Sequence, residues 1–153
     1  MAITTDVITN KFGKLCFQYD TYSGYIPSYV DTDKLMILCE KTHPSIVAGS
    51  ETWSMVMLKK IESEFTKSIN PGYALNLPQV HLNVERLSFC SKLRKKFDKN
   101  YEDNAYDRAF IGISSGRHCI RLLHEIRVKR IPVLADKVNH DLLMKFADGD
   151  LYK

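Results

Sequence analysis

The 153-residue sequence contains no apolar run near the roughly 18 residues that a membrane-spanning helix needs. Its first residues, MAITTDVITNKFGK, lack the apolar core of a signal peptide. Only four cysteines occur, at 16, 39, 90 and 119, with no C-x-x-C or C-x-H grouping, so a structural zinc site has no signature. Free cysteine behaves as a small hydrophobe. The expectation is four reduced packing residues in an intracellular, reducing setting. With 7 glycines and 5 prolines the chain is no collagen, and it has no internal repeat, low-complexity tract or Pro/Ser-rich linker. An apolar share of 44%, 10% aromatics and 26% charged residues exclude a coiled-coil rod and a disordered tail. The length fits one domain spanning residues 1–153.

The net charge of +4 is unevenly placed. Residues 1–85 carry 7 Lys/Arg and 9 Asp/Glu, residues 86–130 carry 12 and 5, and residues 131–153 carry 3 and 4. The central block has one cluster at Lys92, Arg94, Lys95, Lys96 and Lys99. A second is at Arg117, Arg121, Arg127, Lys129 and Arg130. Such a block attracts polyanions, RNA or an anionic membrane face. A solvated helix face accounts for one cluster alone; two within 45 residues point to a functional patch.

Hydrophobic periodicity predicts α+β architecture: a small, partly antiparallel sheet packed by three to four helices. Leu15, Phe17 and Tyr19 alternate with Cys16, Gln18 and Asp20 as a half-buried strand. The Tyr-rich stretch 19–29 (Tyr19, Tyr22, Tyr25, Tyr29) contains Ser23, Gly24, Pro27 and Ser28 and reads as a turn-rich loop. The apolar run Leu35–Cys39 reads as an interior strand. Trp53, Met57, Ile61 and Phe65 form a core-facing stripe on a helix over 52–69, widened by Val56 and Leu58 and capped by Ser50 or Thr52. Lys60 and Glu64 fall on its wet side, and Asn70-Pro71-Gly72 stops it. Val80, Leu82 and Val84 predict a strand. Phe89, Leu93 and Phe97 predict a helix with the first basic cluster between them, and a polar stretch, Asn100–Asp107, leads out of it. Phe110–Ile113 then reads as a strand, Ser114-Ser115-Gly116 as a turn, and Cys119, Leu122, Leu123 and Ile126 as the apolar stripe of a helix reaching Lys129. That periodicity turns Arg117, Arg121 and His124 to solvent. Pro132–Ala135 reads as a closing strand. A last helix follows, capped by Asn139, buried at Leu142, Leu143 and Phe146, and ended near Gly149.

Gly112-Ile113-Ser114-Ser115-Gly116 matches the G-x-S-x-G nucleophile elbow, and Ser114, Asp136 and His140 follow the hydrolase chain order. Only 39 residues follow Ser114, too few to bring the acid and the histidine in on separate strands. The same turn offers a second chemistry: Ser114, Ser115, Gly116 and Arg117 at a helix N-terminus are candidates to hold a phosphate. Neither the P-loop nor the dinucleotide fingerprint is present, so this reading is a small phosphate- or nucleotide-binding α/β module, of the Toll/interleukin-receptor-like kind. His43, His81, His118, His124 and His140 are scattered, with no metal-ligand spacing.

The stretch YDRAFIGISSGRHCIRLLHEIRVKRIPVLAD at 106–136 resembles a segment of rhabdovirus matrix proteins. The likeness is carried by Tyr106-Asp107, Phe110-Ile111-Gly112, Gly116-Arg117, Leu122-Leu123 and Pro132-Val133-Leu134-Ala135-Asp136. The chain lacks a Lys-rich N-terminal arm and the P-P-x-Y and P-[ST]-A-P motifs, so the likeness is to a short, plant-infecting member.

That resemblance implies a non-enzymatic virion protein without cofactor, metal, catalytic residue or small-molecule substrate. It would condense the viral nucleocapsid and its RNA, associate with itself and dock on the anionic inner face of the envelope. Both basic clusters would be its contact residues. Its expected location is the virion, the host cytoplasm and membrane periphery, and the nucleus. Beside it stand the phosphate- or nucleotide-binding module and an RNA-binding silencing suppressor.

Overall fold

The structure, a computed structural model, describes residues 3–20, 24–40, 42, 49–70, 72–102 and 108–147. Among these residues lie seven strands in two sheets and five α-helices. The chain is α+β, and the expected sheet is divided in two.

The first sheet begins with a hairpin, β1 (Ile3–Thr9) against β2 (Gly13–Tyr19). Its turn closes on the Thr9 hydroxyl, which accepts from the Phe12 N–H at 2.9 Å and donates to the Gly13 carbonyl at 3.0 Å. The chain next forms β3 (Tyr25–Asp31), α1 (Thr32–Cys39), a single 3-10 turn (Ser50–Thr52) and α2 (Met55–Ser68). After α2, a two-residue strand, β4 (Leu75–Asn76), joins β2 in parallel. The α2 helix packs on β2 and β4. Its Phe65 is buried with Leu15 and Phe17 and meets the Phe12 ring edge-on at 5.4 Å. Full burial of each such side chain contributes about 1.5–3 kcal/mol. The Ser68 hydroxyl ties the helix down by accepting from the Cys16 N–H at 3.0 Å.

The second sheet has the order β3-β7-β5-β6, formed by β3, β5 (Gln79–Val84), β6 (Ala109–Ser115) and β7 (Arg130–Asp136). Its β3–β7 and β5–β6 pairs are antiparallel, and β5 meets β7 in parallel at Gln79–Leu134 and Val80–Ala135. Where that ladder stops, Asp136 replaces it. Its carboxylate accepts from the Leu82 N–H at 3.1 Å and the Asn139 N–H at 2.7 Å, and the Asn139 amide donates to the Leu82 carbonyl at 2.9 Å. Between β5 and β6 the chain forms α3 (Phe89–Phe97); β6 leads into α4 (Arg117–Glu125), and β7 into α5 (His140–Ala147). Both α4 and α5 pack on α1, and α5 also lies on β3, β5 and β7.

Several expectations are corrected. Leu35–Cys39 is helical, not a strand. The Asp31 carboxylate caps α1 by accepting from the Lys34 N–H at 2.9 Å, and all of the run but Ile37 is buried. A short run buried on nearly all sides looks alike in either state. Tyr25–Asp31 is a strand, not a loop. It lies at a sheet edge, where Pro27 is tolerated because an edge strand leaves some N–H positions unpaired; residues 21–23 lie outside the described ones. Helix α2 starts on Ser54, whose hydroxyl accepts from the Met57 N–H at 3.2 Å, leaving Ser50 and Thr52 in the preceding turn. Val56 is exposed instead of widening the stripe. Ser114 and Ser115 belong to β6, α4 ends at Glu125, and β7 is interior instead of closing the sheet. Pro71, Gly149 and residues 103–107 lie outside the described residues.

Candidate functional site

The junction of β6 and α4 is built around Gly116, which takes a left-handed φ of 80°. A Cβ there would stand 2.8 Å from the Pro78 Cα, so backbone conformation and close approach both require glycine. No side chain caps the helix that follows. Its first backbone bond runs from the Ile120 N–H to the Gly116 carbonyl at 3.0 Å, and the N–H groups of Arg117, His118 and Cys119 have no partner within the helix.

These residues form one wall of a cleft of about 620 Å³, a size suited to a small ligand. Ile113, Ser114, Ser115 and Gly116 line it from the strand side, and Arg117, His118 and Cys119 from the helix. The facing wall is α2, through Met57, Lys60, Ile61, Glu64 and Phe65, and Tyr73 to Leu77 close the floor. Two cations, Lys60 and Arg117, thus border one cavity with a single carboxylate, Glu64. Burial, then the neighbouring Arg117 charge, lowers the His118 pKa from its ordinary value. His118 is therefore neutral near pH 7, its ring held edge-on against Trp53 at 4.7 Å. Burial, with Glu64 nearby, pushes the Cys119 thiol up to about 12, which leaves it protonated and poorly nucleophilic.

The four residues read as a phosphate turn do meet at one place. The hydrolase order does not assemble: Asp136 serves the Leu82 and Asn139 amides, and the His140 Nδ1 lies 3.0 Å from the Ser28 hydroxyl. Ser114 instead neighbours His81 across the strand pair, Oγ to Nδ1 at 3.3 Å. That ring fits because position 112 is glycine; a Cβ there would stand 2.3 Å from the His81 Nε2.

The first basic cluster is displayed together, with Lys92, Arg94, Lys95 and Lys96 exposed on α3 and Lys99 exposed just beyond it. Cys90 is exposed there too, against its expected packing role, whereas Cys39 is buried and Cys16 and Cys119 are half-buried. The second cluster is divided. Arg117 lies at the cleft, while Arg127, Lys129 and Arg130 lie past the opposite end of α4, where Arg130 donates to the Tyr29 carbonyl at 3.1 Å. Arg121 does not face solvent freely. Its side chain is 15% exposed and bonds Glu125 at 3.0 Å, and the Glu125 carboxylate also takes both Ser50 donors. The His124 Nε2 lies 2.8 Å from Asp33.

Lys60, Glu64 and Tyr73 were not legible as site residues. Only the docking of α2 beside the β6–α4 turn brings them there, and Lys60 and Glu64 carry the pattern of any solvated helix face.

No family model and no curated protein matches this sequence. Among solved structures the chain is similar to the oncogenic suppression activity protein, a plasmid fertility inhibition factor, crystallised as a gold(I) cyanide derivative. The TM-score is 0.61 at 10% identity, over 95% of this chain and 69% of that one. At that identity the likeness shows a shared fold alone.

Proposed function

We propose that this chain is a binding module that holds a phosphate-bearing small molecule of the nucleotide class between α2 and the β6–α4 turn. One observation carries the reading: an uncapped helix start, set by a left-handed glycine, borders a cleft of about 620 Å³ that Lys60 and Arg117 also line. The phosphate would take the first-turn N–H groups of α4, where helix dipole and unpaired donors favour an anion. Arg117 would add a planar fork and Lys60 a point charge from the other wall. Ser114 and Ser115 hydroxyls are further donors along the strand wall. The half-buried Met57 and Ile61 would take the apolar part of the ligand, with Glu64 as acceptor for its N–H groups. The test is thermal denaturation with a nucleotide panel and inorganic phosphate. Stabilisation by at least one nucleotide, lost in Arg117→Ala, supports the reading, and no stabilisation by any member sinks it.

A second reading, the self-associating, nucleocapsid-condensing protein that the matrix resemblance implies, is favoured by the joint display of Lys92, Arg94, Lys95 and Lys96 on α3. Light scattering tests it. Assembly that grows with concentration supports it, and a monomer at every concentration removes it.

A further inference from the structure

The helix α3 stands apart from the rest of the molecule: none of the other described elements packs extensively against it. Its sequence, FCSKLRKKF, places Phe89, Leu93 and Phe97 four residues apart. On a helix turning about 100° per residue they fall within an arc of roughly 80°. This stripe has the spacing of a core face, yet Phe89 is 76% exposed, Leu93 41% and Phe97 74%. Cys90 continues the arc and is exposed as well. Lys92 and Lys96 border one flank and Arg94 the other, all three exposed, and the helix contains no acidic residue. The Lys96 ammonium lies 5.5 Å from the Phe97 ring centre.

We propose that α3 is a docking element for a bilayer bearing anionic phospholipid, lying in the plane of the interface. The two phenyl rings and Leu93 enter the acyl boundary, and the bordering cations extend along their aliphatic stems to the lipid phosphates. Cations on both flanks of one apolar stripe, with no acid among them, complement a negatively charged plane. A stripe of three side chains is too small to anchor alone, so apolar insertion and charge attraction are both required, and binding is reversible and weakened by salt. This inference is independent of the cleft, which contains none of these residues.

The test is flotation of the full chain with phosphatidylcholine vesicles, with and without phosphatidylserine, across a salt series. Two double variants accompany it: Phe89→Ser/Phe97→Ser, which keeps the charge, and Lys92→Gln/Lys96→Gln, which keeps the apolar stripe. Because these side chains are exposed, both variants melt like the unmodified chain, which is checked first. The proposal expects binding only with phosphatidylserine, reduced to background by the serine pair. The glutamine pair loses about twenty-five-fold, at roughly fivefold per charge. It is overturned if phosphatidylserine vesicles float no protein or if the serine pair binds undiminished. Binding of α3 to a single-stranded oligonucleotide in place of vesicles also overturns it.

Discussion

Gly116 meets Pro78 so closely that a Cβ on the glycine would lie 2.8 Å from the proline Cα. That contact fixes where β6 ends and α4 begins, and so the direction in which the unpaired amides of α4 point. Gly116→Ala must relieve both a backbone clash and a left-handed φ. Urea denaturation should show a loss of about 2–4 kcal/mol. Gly112→Ala should cost only about 1 kcal/mol, because the His81 imidazole that it meets can rotate away.

At its other end, α4 closes with Arg127 in the left-handed region at φ 61°. Arg127 donates to the His124 carbonyl and Val128 to the Leu123 carbonyl, both at 3.0 Å, the Schellman pattern in which glycine usually stands. Arg127→Gly should therefore stabilise the protein by about 0.5–1 kcal/mol, read in the same denaturation experiment.

Acid sensitivity should centre on Glu125 and His118. Burial pushes the Glu125 carboxyl up, but the two Ser50 hydrogen bonds and Arg121 outweigh it and hold the pKa below 4.5. With the folded value below the unfolded one, the stabilisation is full above pH 4.5 and is lost as pH falls through the folded value. The His118 pKa is lowered from 6.5, so its stabilising share is complete above that value and fades as the solution acidifies below it. Glu125→Gln should cost about 1–2 kcal/mol at pH 7. It should also flatten stability against pH below 4.5, and His118→Gln should flatten it just below 6.5, both measured as melting temperature against pH.

Two stripes of like spacing should differ widely in cost. Phe65 on α2 is buried, so Phe65→Ala should lose about 3–5 kcal/mol. Leu93 on α3 is 41% exposed with no extensive packing partner, and Leu93→Ser should change stability by less than about 0.5 kcal/mol.

That contrast shows what the sequence made legible. Periodicity located β2, α2, β5, α3, α4 and α5, because alternation and four-residue spacing follow directly from strand and helix geometry. It gave no sign that the apolar face of α3 is uncovered, since spacing states which residues share a face and not what covers it. The strand β1 is not legible in the sequence, because Thr4, Thr5 and Asp6 blur its alternation. The segment Ser114–Arg117 was legible as a candidate for holding an anion; the wall opposite it was not, because Lys60 comes near only through the docking of α2 on the first sheet.

The most direct test of the cleft follows the backbone N–H resonances of the ¹⁵N-labelled protein as a nucleotide is added. Nucleotide binding in the cleft gives the largest, saturable shifts at Ser115 to Cys119, with Lys60 and its α2 neighbours moving at the same midpoint, and no such response in Arg117→Ala. Shifts confined to α3, or no saturable shift at the start of α4 with any nucleotide or phosphate, would contradict it.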